Sequence, residues 1–260
     1  MASSPADARG HRAHRTGRTR GALLVRSRTV RRAPGTQFPR ARESVGAVSL
    51  VPRGLATSLR GGLAPLARGL HGLGIRANTV TVLGFFLTVV GVALLAAAQP
   101  GAALLVLLLG ALCDTLDGQL ARAAGGGTRF GSFLDSTLDR LSDAALAIGA
   151  VQLGASTFDP YVQTFGSGAI LFWAGLLLLV ASFLVSYIRA KAESLGESSS
   201  VGVAPREARI AIYLIGVAAW AVTGTLQLFA VAVAVTAFLA TITVLQRIAH
   251  MASALNEKKG

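Results

Sequence analysis

The stretch CDTLDGQLARAAGGGTRFGSFLDSTLDRLSD, residues 113–143, carries five aspartates between long apolar runs. Two of them precede a glycine-rich link, and three follow it at intervals of four residues. They are Asp114, Asp117, Asp135, Asp139 and Asp143. Residues three or four positions apart share a face of an α-helix. The stretch therefore predicts two helices that gather four or five carboxylates into one pocket.

Apolar segments of membrane-spanning length surround and include this stretch. They lie at roughly residues 78–97, 102–121, 132–153, 167–189, 208–224 and 228–247. The chain is 52% apolar and 14% charged, which is typical of an integral membrane protein. Before the first span, residues 53–74 repeat leucine at helical spacing among arginines, which predicts an amphipathic helix on the membrane surface.

Loop charges predict the orientation of these spans. The links 98–101 and 223–228 carry no charged residue, and the link 154–166 carries only Asp159. The other connections and the C-terminus are rich in arginine and lysine, so the positive-inside rule places them in the cytoplasm. We therefore predict an all-α, multi-pass protein of the cell membrane, with an amphipathic juxtamembrane helix and six transmembrane helices. Both termini are expected in the cytoplasm, and so is the carboxylate pocket at the ends of the second and third spans.

The net charge of +13 is concentrated near the N-terminus, where residues 1–53 hold twelve arginines and only two acidic residues. Such a charge could suggest nucleic-acid binding. We exclude that function because the segment has little apolar pattern, and we predict a disordered cytoplasmic tail near anionic lipid. The predicted domains are the tail 1–52, a membrane domain 53–250 and a short cytoplasmic tail 251–260.

The aspartates require a cationic partner, because unpaired carboxylates repel each other and cost at least ~2.5 kcal/mol each within a membrane. One cysteine and four unclustered histidines exclude a zinc site. Carboxylate oxygens suit a hard cation such as Mg²⁺ or Mn²⁺, which often also binds substrate phosphate. The alternative is a structural set of ion pairs with Arg122, Arg129 and Arg140 at the helix ends.

The aspartates also form a motif: Asp114-x-x-Asp117-Gly118-x-x-Ala121-Arg122, then eight residues, then Gly131-x-x-x-Asp135-x-x-x-Asp139. This motif resembles the signature of the CDP-alcohol phosphotransferases, and the resemblance covers about residues 55–250. It implies transfer of the phosphatidyl group of CDP-diacylglycerol to an alcohol, with release of CMP. It also implies one or two Mg²⁺ or Mn²⁺ ions and a homodimer.

The same resemblance implies roles for individual residues. The metal ligands would be Asp114, Asp117, Asp135 and Asp139, and Asp139 would also take the proton of the acceptor hydroxyl. Residues near the glycine-rich link and at the start of the first span would bind the CDP-lipid. These residues are Asn78, Thr81, Gly118, Ala121, Arg122, Thr128 and Gly131.

Five cations near the cytoplasmic ends of the last three spans suggest an acceptor that carries a phosphate. They are Arg189, Lys191, Arg206, Arg209 and Arg247. Arg189 and Lys191 are two residues apart, so they do not share a face unless the helix end is frayed. Together with the run around Tyr187, this pattern resembles the phosphatidylinositol-phosphate synthases of bacteria, which implies inositol 1-phosphate as the acceptor.

Two other functions stay open from the sequence. Glycerol 3-phosphate is the alternative acceptor, which would make the protein a phosphatidylglycerophosphate synthase. A non-catalytic membrane scaffold that keeps the metal pocket is the alternative of a different class. A transporter fits less well, because its charged residues are expected near the middle of the bilayer.

Overall fold

Seven helices follow one another in the residues that the computed structural model describes, 53–157, 166–199 and 201–257. They are α1 (Arg53–Gly72), α2 (Ala77–Ala96), α3 (Pro100–Ala123), α4 (Arg129–Thr157), α5 (Ser167–Ser194), α6 (Arg206–Thr223) and α7 (Leu226–Glu257). No β-strand occurs within these residues, so the predicted all-α class is confirmed for them. The predicted tail, residues 1–52, lies outside the described part of the chain.

Four of the six predicted spans are long and apolar enough to cross a membrane: α2, α3, α5 and α7. The other two, α4 and α6, are also helical, but each begins with several charged side chains. In α6, the first turn contains Arg206, Glu207 and Arg209. Because of these charges, α4 and α6 are less apolar than the other four helices and are not among the four candidate membrane spans.

The helix ends follow local sequence signals. Pro100 occupies the first turn of α3, where its missing N–H costs no hydrogen bond. Gly224 ends α6 in the left-handed conformation, with φ of 70°. Helix α7 continues to Glu257, so most of the segment predicted as a C-terminal tail from residue 251 is helical.

Small residues allow the helices to approach closely. A Cβ atom at Gly154 of α4 would lie 2.5 Å from the backbone nitrogen of Phe172 in α5. A Cβ atom at Gly84 of α2 would lie 3.0 Å from the Cβ of Cys113 in α3. Glycine at these positions therefore brings neighbouring backbones together, as is common between membrane helices.

The interior combines apolar packing with a few satisfied polar groups. Tyr213 of α6 is buried, and its hydroxyl donates a hydrogen bond of 2.9 Å to the carbonyl of Leu146 in α4. The Tyr213 ring meets Phe229 of α7 edge to face, with 5.1 Å between the ring centroids. These contacts join α4, α6 and α7 below the aspartates.

Helix α1 packs on the remainder of the fold through one face. Leu63 and Leu70 lie against a small cluster formed by Val80, Leu116 and Leu120 of α2 and α3. Arg68, by contrast, is exposed, and so is Leu66, at 48%. This division agrees with an amphipathic helix, and its place on a membrane surface stays a prediction.

Helix α2 contacts both α3 and α4, and α6 contacts α3. The end of α3 that holds Asp114 and Asp117 is therefore close to the beginning of α4 and the beginning of α6. This arrangement places the aspartates next to the charged first turn of α6.

Candidate active site

Three aspartates from α3 and α4 meet in one cluster. One carboxylate oxygen from each of Asp114, Asp135 and Asp139 lies within 4.8 Å of the other two. Carboxylate oxygens at this separation suit a hard divalent cation such as Mg²⁺ or Mn²⁺. The residues present therefore fit the metal that the sequence predicts.

Asp117, the fourth predicted ligand, lies outside this group of three. Its residue is only 7% exposed, and its Oδ2 atom has no hydrogen-bond partner among the described residues. A buried carboxylate oxygen without a partner is costly, so its presence points to a cation or another bound group. Asp117 thus supports the same fit from the next turn of α3, beside Asp114 in the wall of one cavity.

Arg206 is the principal cation of the cluster. Its Nη1 atom lies 2.9 Å from Oδ1 of Asp139 and 3.5 Å from Oδ2 of Asp114. Its Nε atom lies 3.1 Å from Oδ1 of Asp143. Arg209 approaches Oδ2 of the same Asp143 with its Nη2 atom at 3.4 Å. One guanidinium therefore connects three carboxylates, and Asp143 connects two arginines.

These contacts differ from the structural alternative of ion pairs at the helix ends. Of the arginines in that alternative, Arg140 lies 3.9 Å from Asp139. Arg122 and Arg129 form no ion pair among the described residues. The short ion pairs of the cluster come from α6 instead, which is distant in sequence.

Arg206 precedes the predicted span 208–224, and its surroundings fix its charge. Burial lowers the pKa of Arg206, whereas the carboxylates of Asp143, Asp139 and Asp114 raise it. The net effect is a pKa above the ordinary value for arginine. The guanidinium is therefore a permanent positive charge beside the cluster.

A cavity of about 550 Å³, which we call the glycine-loop cavity, lies between α2, α3 and the start of α4. Six of the seven residues predicted to bind the CDP-lipid line this cavity. They are Asn78, Thr81, Gly118, Ala121, Thr128 and Gly131. The seventh, Arg122, is exposed, and its guanidinium lies near the open side of Gly118.

The backbone of the glycine-rich link explains the shape of this cavity. Gly125 and Gly126 have φ angles of 89° and 121°, which side chains disfavour. The Thr128 hydroxyl oxygen accepts a hydrogen bond of 2.9 Å from the Gly131 N–H and so caps α4. A Cβ atom at Gly131 would lie 2.9 Å from Oδ1 of Asn78, so glycine lets α2 and α4 meet here.

A second polar cavity of about 740 Å³, the arginine cavity, lies between α3, α4, α5 and α6. Four of the five predicted phosphate-binding cations line it: Arg189, Arg206, Arg209 and Arg247. Lys191 is exposed and is not among the lining residues. Helix α5 continues to Ser194, so its end is not frayed and Lys191 faces away from Arg189.

Two of these arginines have further partners. Arg247 is 9% exposed and donates from Nε to the carbonyl of Val201 at 3.0 Å and from Nη1 to the carbonyl of Val185 at 2.7 Å. Arg189 is exposed and pairs with Glu193 at 3.0 Å. Arg247 is therefore held rigidly, whereas Arg189 is free to change partner.

The charges that line the arginine cavity do not cancel. It is lined by five arginines and seven acidic residues. The acidic residues are Asp114, Asp117, Asp135, Asp139, Asp143, Glu193 and Glu207. The excess of carboxylates favours a divalent cation in the cavity, and such a cation would offset the repulsion of an anionic ligand.

The cavities adjoin at the cluster. The glycine-loop cavity and the arginine cavity share Asp117, Gly118, Ser132 and Asp135 in their walls. A third, mainly apolar cavity of about 240 Å³ runs between α2, α3, α4 and α6. It reaches the cluster at Asp114 and Asp139.

The site residues predicted from sequence omit three acidic side chains that line the arginine cavity. Asp143 lies on the predicted stripe of α4, four residues after Asp139, so helical spacing predicts it in the carboxylate pocket but assigns it no role. Glu193 and Glu207 also line the arginine cavity. Nothing in their local spacing distinguishes them from exposed charges at helix ends.

Comparison with known sequences identifies the family. The profile described as CDP-alcohol phosphatidyltransferase matches residues 75–251. The archaetidylinositol phosphate synthase of Pyrococcus horikoshii is 38% identical over 151 residues, which cover 58% of this chain and 73% of that relative. The phosphatidylinositol phosphate synthase of Mycobacterium marinum is 38% identical over 156 residues, which cover 58% of this chain and 62% of that relative. The match thus spans less than two thirds of the length of the M. marinum relative.

Solved structures agree with the sequence comparison. Mycobacterium tuberculosis phosphatidylinositol phosphate synthase in complex with manganese and citrate is 34% identical, with a TM-score of 0.64 over 71% of this chain and 86% of that chain. The same enzyme with CDP-DAG bound gives a TM-score of 0.62 at 34% identity over 71% of this chain and 90% of that chain. The matched family profile, these relatives and the aspartate cluster together show that the chain belongs to the CDP-alcohol phosphatidyltransferase family.

Proposed function

We propose that this protein transfers the phosphatidyl group of CDP-diacylglycerol to a hydroxyl of inositol 1-phosphate, giving phosphatidylinositol phosphate and CMP. The observation that carries the proposal is the pair of polar cavities that adjoin at the aspartate cluster. One is lined by glycines and the other by arginines. Two anionic substrates can therefore reach the same carboxylates from different sides.

The glycine-loop cavity suits the cytidine diphosphate. A Cβ atom at Gly118 would meet nothing nearer than the Arg122 guanidinium at 3.8 Å, so this part of the wall is open to a ligand. Backbone N–H groups of glycine loops and helix starts favour phosphate oxygens. The apolar cavity beside Asp114 suits the acyl part of the same lipid. The M. tuberculosis relative with CDP-DAG bound supports this assignment.

The metal ligands in this proposal are Asp114, Asp117, Asp135 and Asp139, which would hold one or two Mg²⁺ or Mn²⁺ ions. A bound ion supplies neutralisation of the diphosphate and of the charge that develops on the leaving CMP. The unpartnered buried oxygen of Asp117 and the three converging carboxylates support this assignment.

Asp139 is the proposed general base. Its carboxylate takes the proton from the acceptor hydroxyl, because an alcohol is a weak nucleophile at neutral pH. The hydroxyl oxygen then forms a bond to the phosphorus that carries the diacylglycerol, and the bond from that phosphorus to CMP breaks. Arg206, whose Nη1 atom lies 2.9 Å from Oδ1 of Asp139, orients this carboxylate through an ion pair.

The arginine cavity is the proposed site of the acceptor phosphate. Arginine forks bind phosphate through paired hydrogen bonds, and four of the predicted cations line this cavity. The relatives from P. horikoshii and M. marinum are named as inositol phosphate lipid synthases, which supports a phosphorylated inositol as the acceptor. Glu193 and Glu207 add hydrogen-bond acceptors for hydroxyl groups in the same cavity.

The proposed placement in the membrane follows from the same charges. Helices α2 to α7 contain the six predicted spans of the cell membrane, with Arg206 before the span of α6, and α1 lies on the cytoplasmic surface of the membrane. The aspartate cluster and both termini face the cytoplasm, where CDP-diacylglycerol and inositol 1-phosphate would meet. The arginine-rich segment 1–52 contacts anionic lipid, and the protein works as a homodimer. The positive-inside distribution of loop charges supports this orientation.

The experiment that tests the proposal measures CMP release by the purified full-length protein in lipid nanodiscs with CDP-diacylglycerol and Mg²⁺. Four acceptors are compared: inositol 1-phosphate, glycerol 3-phosphate, serine and inositol. We expect release with inositol 1-phosphate alone. Release with glycerol 3-phosphate alone would overturn the acceptor but keep the reaction. Release with none of them, in protein that still binds CDP-diacylglycerol, would favour a scaffold.

A further inference from the structure

The segment 201–205 connects to α6 and directly precedes Arg206. It has no helix or strand of its own to fix its backbone. Ala204 is fully buried, and Pro205 has a φ of −60° and starts the first turn of α6. The position of Arg206 therefore depends on where this short segment lies.

Side chains of α7 hold the segment in place. The Thr243 hydroxyl oxygen accepts a hydrogen bond of 3.3 Å from the Ala204 N–H. Gln246 accepts one of 3.0 Å from the Val203 N–H. Ala204 and Thr243 are both buried. Because a buried N–H needs a hydrogen-bond partner, the bond to Thr243 contributes more to holding the segment than the exposed bond to Gln246.

Thr243 also fixes the segment by shape. A Cβ atom at Gly202 would lie 2.4 Å from the Thr243 methyl carbon, and the φ of Gly202 is 149°. The Thr243 hydroxyl donates in turn to the carbonyl of Leu239 at 2.9 Å, so its orientation is set. Thr243 thus presents an acceptor to Ala204 and a methyl group to Gly202 of the segment.

The segment transmits this position to the arginine cavity. The Ala204 carbonyl accepts a hydrogen bond of 3.2 Å from Nη1 of Arg209. Arg206, the first residue of α6, directly follows the segment and contacts Asp139 and Asp143. Thr243 itself does not line the arginine cavity. Any effect it has on a ligand there must pass through the segment and these arginines.

We propose that Thr243 is a positioning residue that holds the segment 201–205 and thereby fixes Arg206 and Arg209 for the phosphate of the acceptor. The inference rests on the proposed function for the identity of the acceptor. It adds a residue of α7 that lies outside the wall of the arginine cavity.

The test compares three variants of the full-length protein. Thr243→Val keeps the shape of the side chain and removes the acceptor, whereas Thr243→Ser keeps the hydroxyl. Thr241→Val is the matched control, because Thr241 on the same helix makes the same kind of bond to the carbonyl four residues earlier, at 2.9 Å.

We expect Thr243→Val to raise the KM for inositol 1-phosphate about tenfold, because the buried Ala204 N–H would lose its hydrogen-bond acceptor and shift its neighbours. The KM for CDP-diacylglycerol should stay within about twofold of wild type in all three variants, since the proposed site of the nucleotide lies against α2, α3 and the start of α4 and not against the segment. Thr243→Ser should recover most of the acceptor affinity.

Hydrogen exchange provides a readout that needs no substrate. Amides of residues 201–209 should exchange faster in Thr243→Val than in wild type or in Thr241→Val. Unchanged exchange, or equal losses of affinity for both substrates, would overturn the inference. Failure of the proposed function would instead appear in the wild-type protein, as absence of CMP release with inositol 1-phosphate.

Discussion

Nη1 of Arg206 and Oδ1 of Asp139 lie 2.9 Å apart and join two helices that are 67 residues apart in sequence at these positions. Asp139 belongs to the carboxylate cluster, and Arg206 belongs to the wall of the arginine cavity. The pair therefore connects the proposed base with the proposed binding site of the acceptor. A change at either residue is expected to affect both chemistry and acceptor binding.

Replacing Asp139 by asparagine tests its role as the base. The variant keeps the size of the side chain and leaves Asp114, Asp117 and Asp135 in place. We expect kcat for CMP release to fall by ~10²- to 10⁴-fold, the usual contribution of a general base. The Kd for CDP-diacylglycerol, measured by titration, should change little. A kcat close to that of wild type would assign the proton transfer to another group.

Replacing Asp135 by asparagine tests the metal site. Asp135 supplies one of the three converging oxygens, whereas Glu193 lines the same cavity outside that group and is the matched control. We expect Asp135→Asn to weaken Mn²⁺ binding by at least ~10-fold. Loss of a residue that only hydrogen-bonds to a metal ligand already weakens metal binding by that factor. Glu193→Gln should bind Mn²⁺ like wild type. Electron paramagnetic resonance measures the free ion directly, and equal affinities in both variants would contradict this site.

Replacing Gly118 by alanine tests the open wall of the glycine-loop cavity. The added methyl group meets only ordinary contacts in the protein, so the melting temperature should not change. It projects into space assigned to the CDP-lipid, and overpacking of this kind is expected to raise the Kd for CDP-diacylglycerol by ~10-fold. Gly101→Ala, in open space at the other end of α3, is the control and should bind normally.

Two cations at the end of α5 form a matched pair. Arg189 lines the arginine cavity, and Lys191 does not. We expect Arg189→Gln to raise the KM for inositol 1-phosphate by about tenfold, the effect of losing one hydrogen bond to a charged group. Lys191→Gln should leave that KM unchanged. If steady-state kinetics gave a raised KM for Lys191→Gln and an unchanged KM for Arg189→Gln, the acceptor would lie on the other face of α5.

The spacing of apolar and charged residues predicted much of this fold. Each of the seven predicted helices is present, because apolar periodicity and proline or glycine signals are local properties of the chain. The end of α7 was harder to predict, since residues 248–257 mix apolar and polar side chains and continue the helix without a glycine or proline as a stop signal. The membrane topology stays a prediction, because length and composition support spanning for four helices alone among those described.

The site could be predicted in part for a similar reason. The convergence of Asp114, Asp135 and Asp139 follows from helical spacing within one stretch. The contacts of Arg206 with the aspartates do not, because they depend on how α6 packs against α3 and α4. For the same reason the sequence could not reveal Thr243, whose partner Ala204 is 39 residues away.

The wall that the two polar cavities share has a consequence for inhibitor design. Asp117, Gly118, Ser132 and Asp135 border both spaces, so ligands in the two cavities would lie next to each other at these four residues. A cytidine nucleotide tethered to a polyol phosphate by a short linker would engage both ends at once. Each half would then hold the other at a high effective concentration, and the tethered compound would bind far more tightly than either fragment alone.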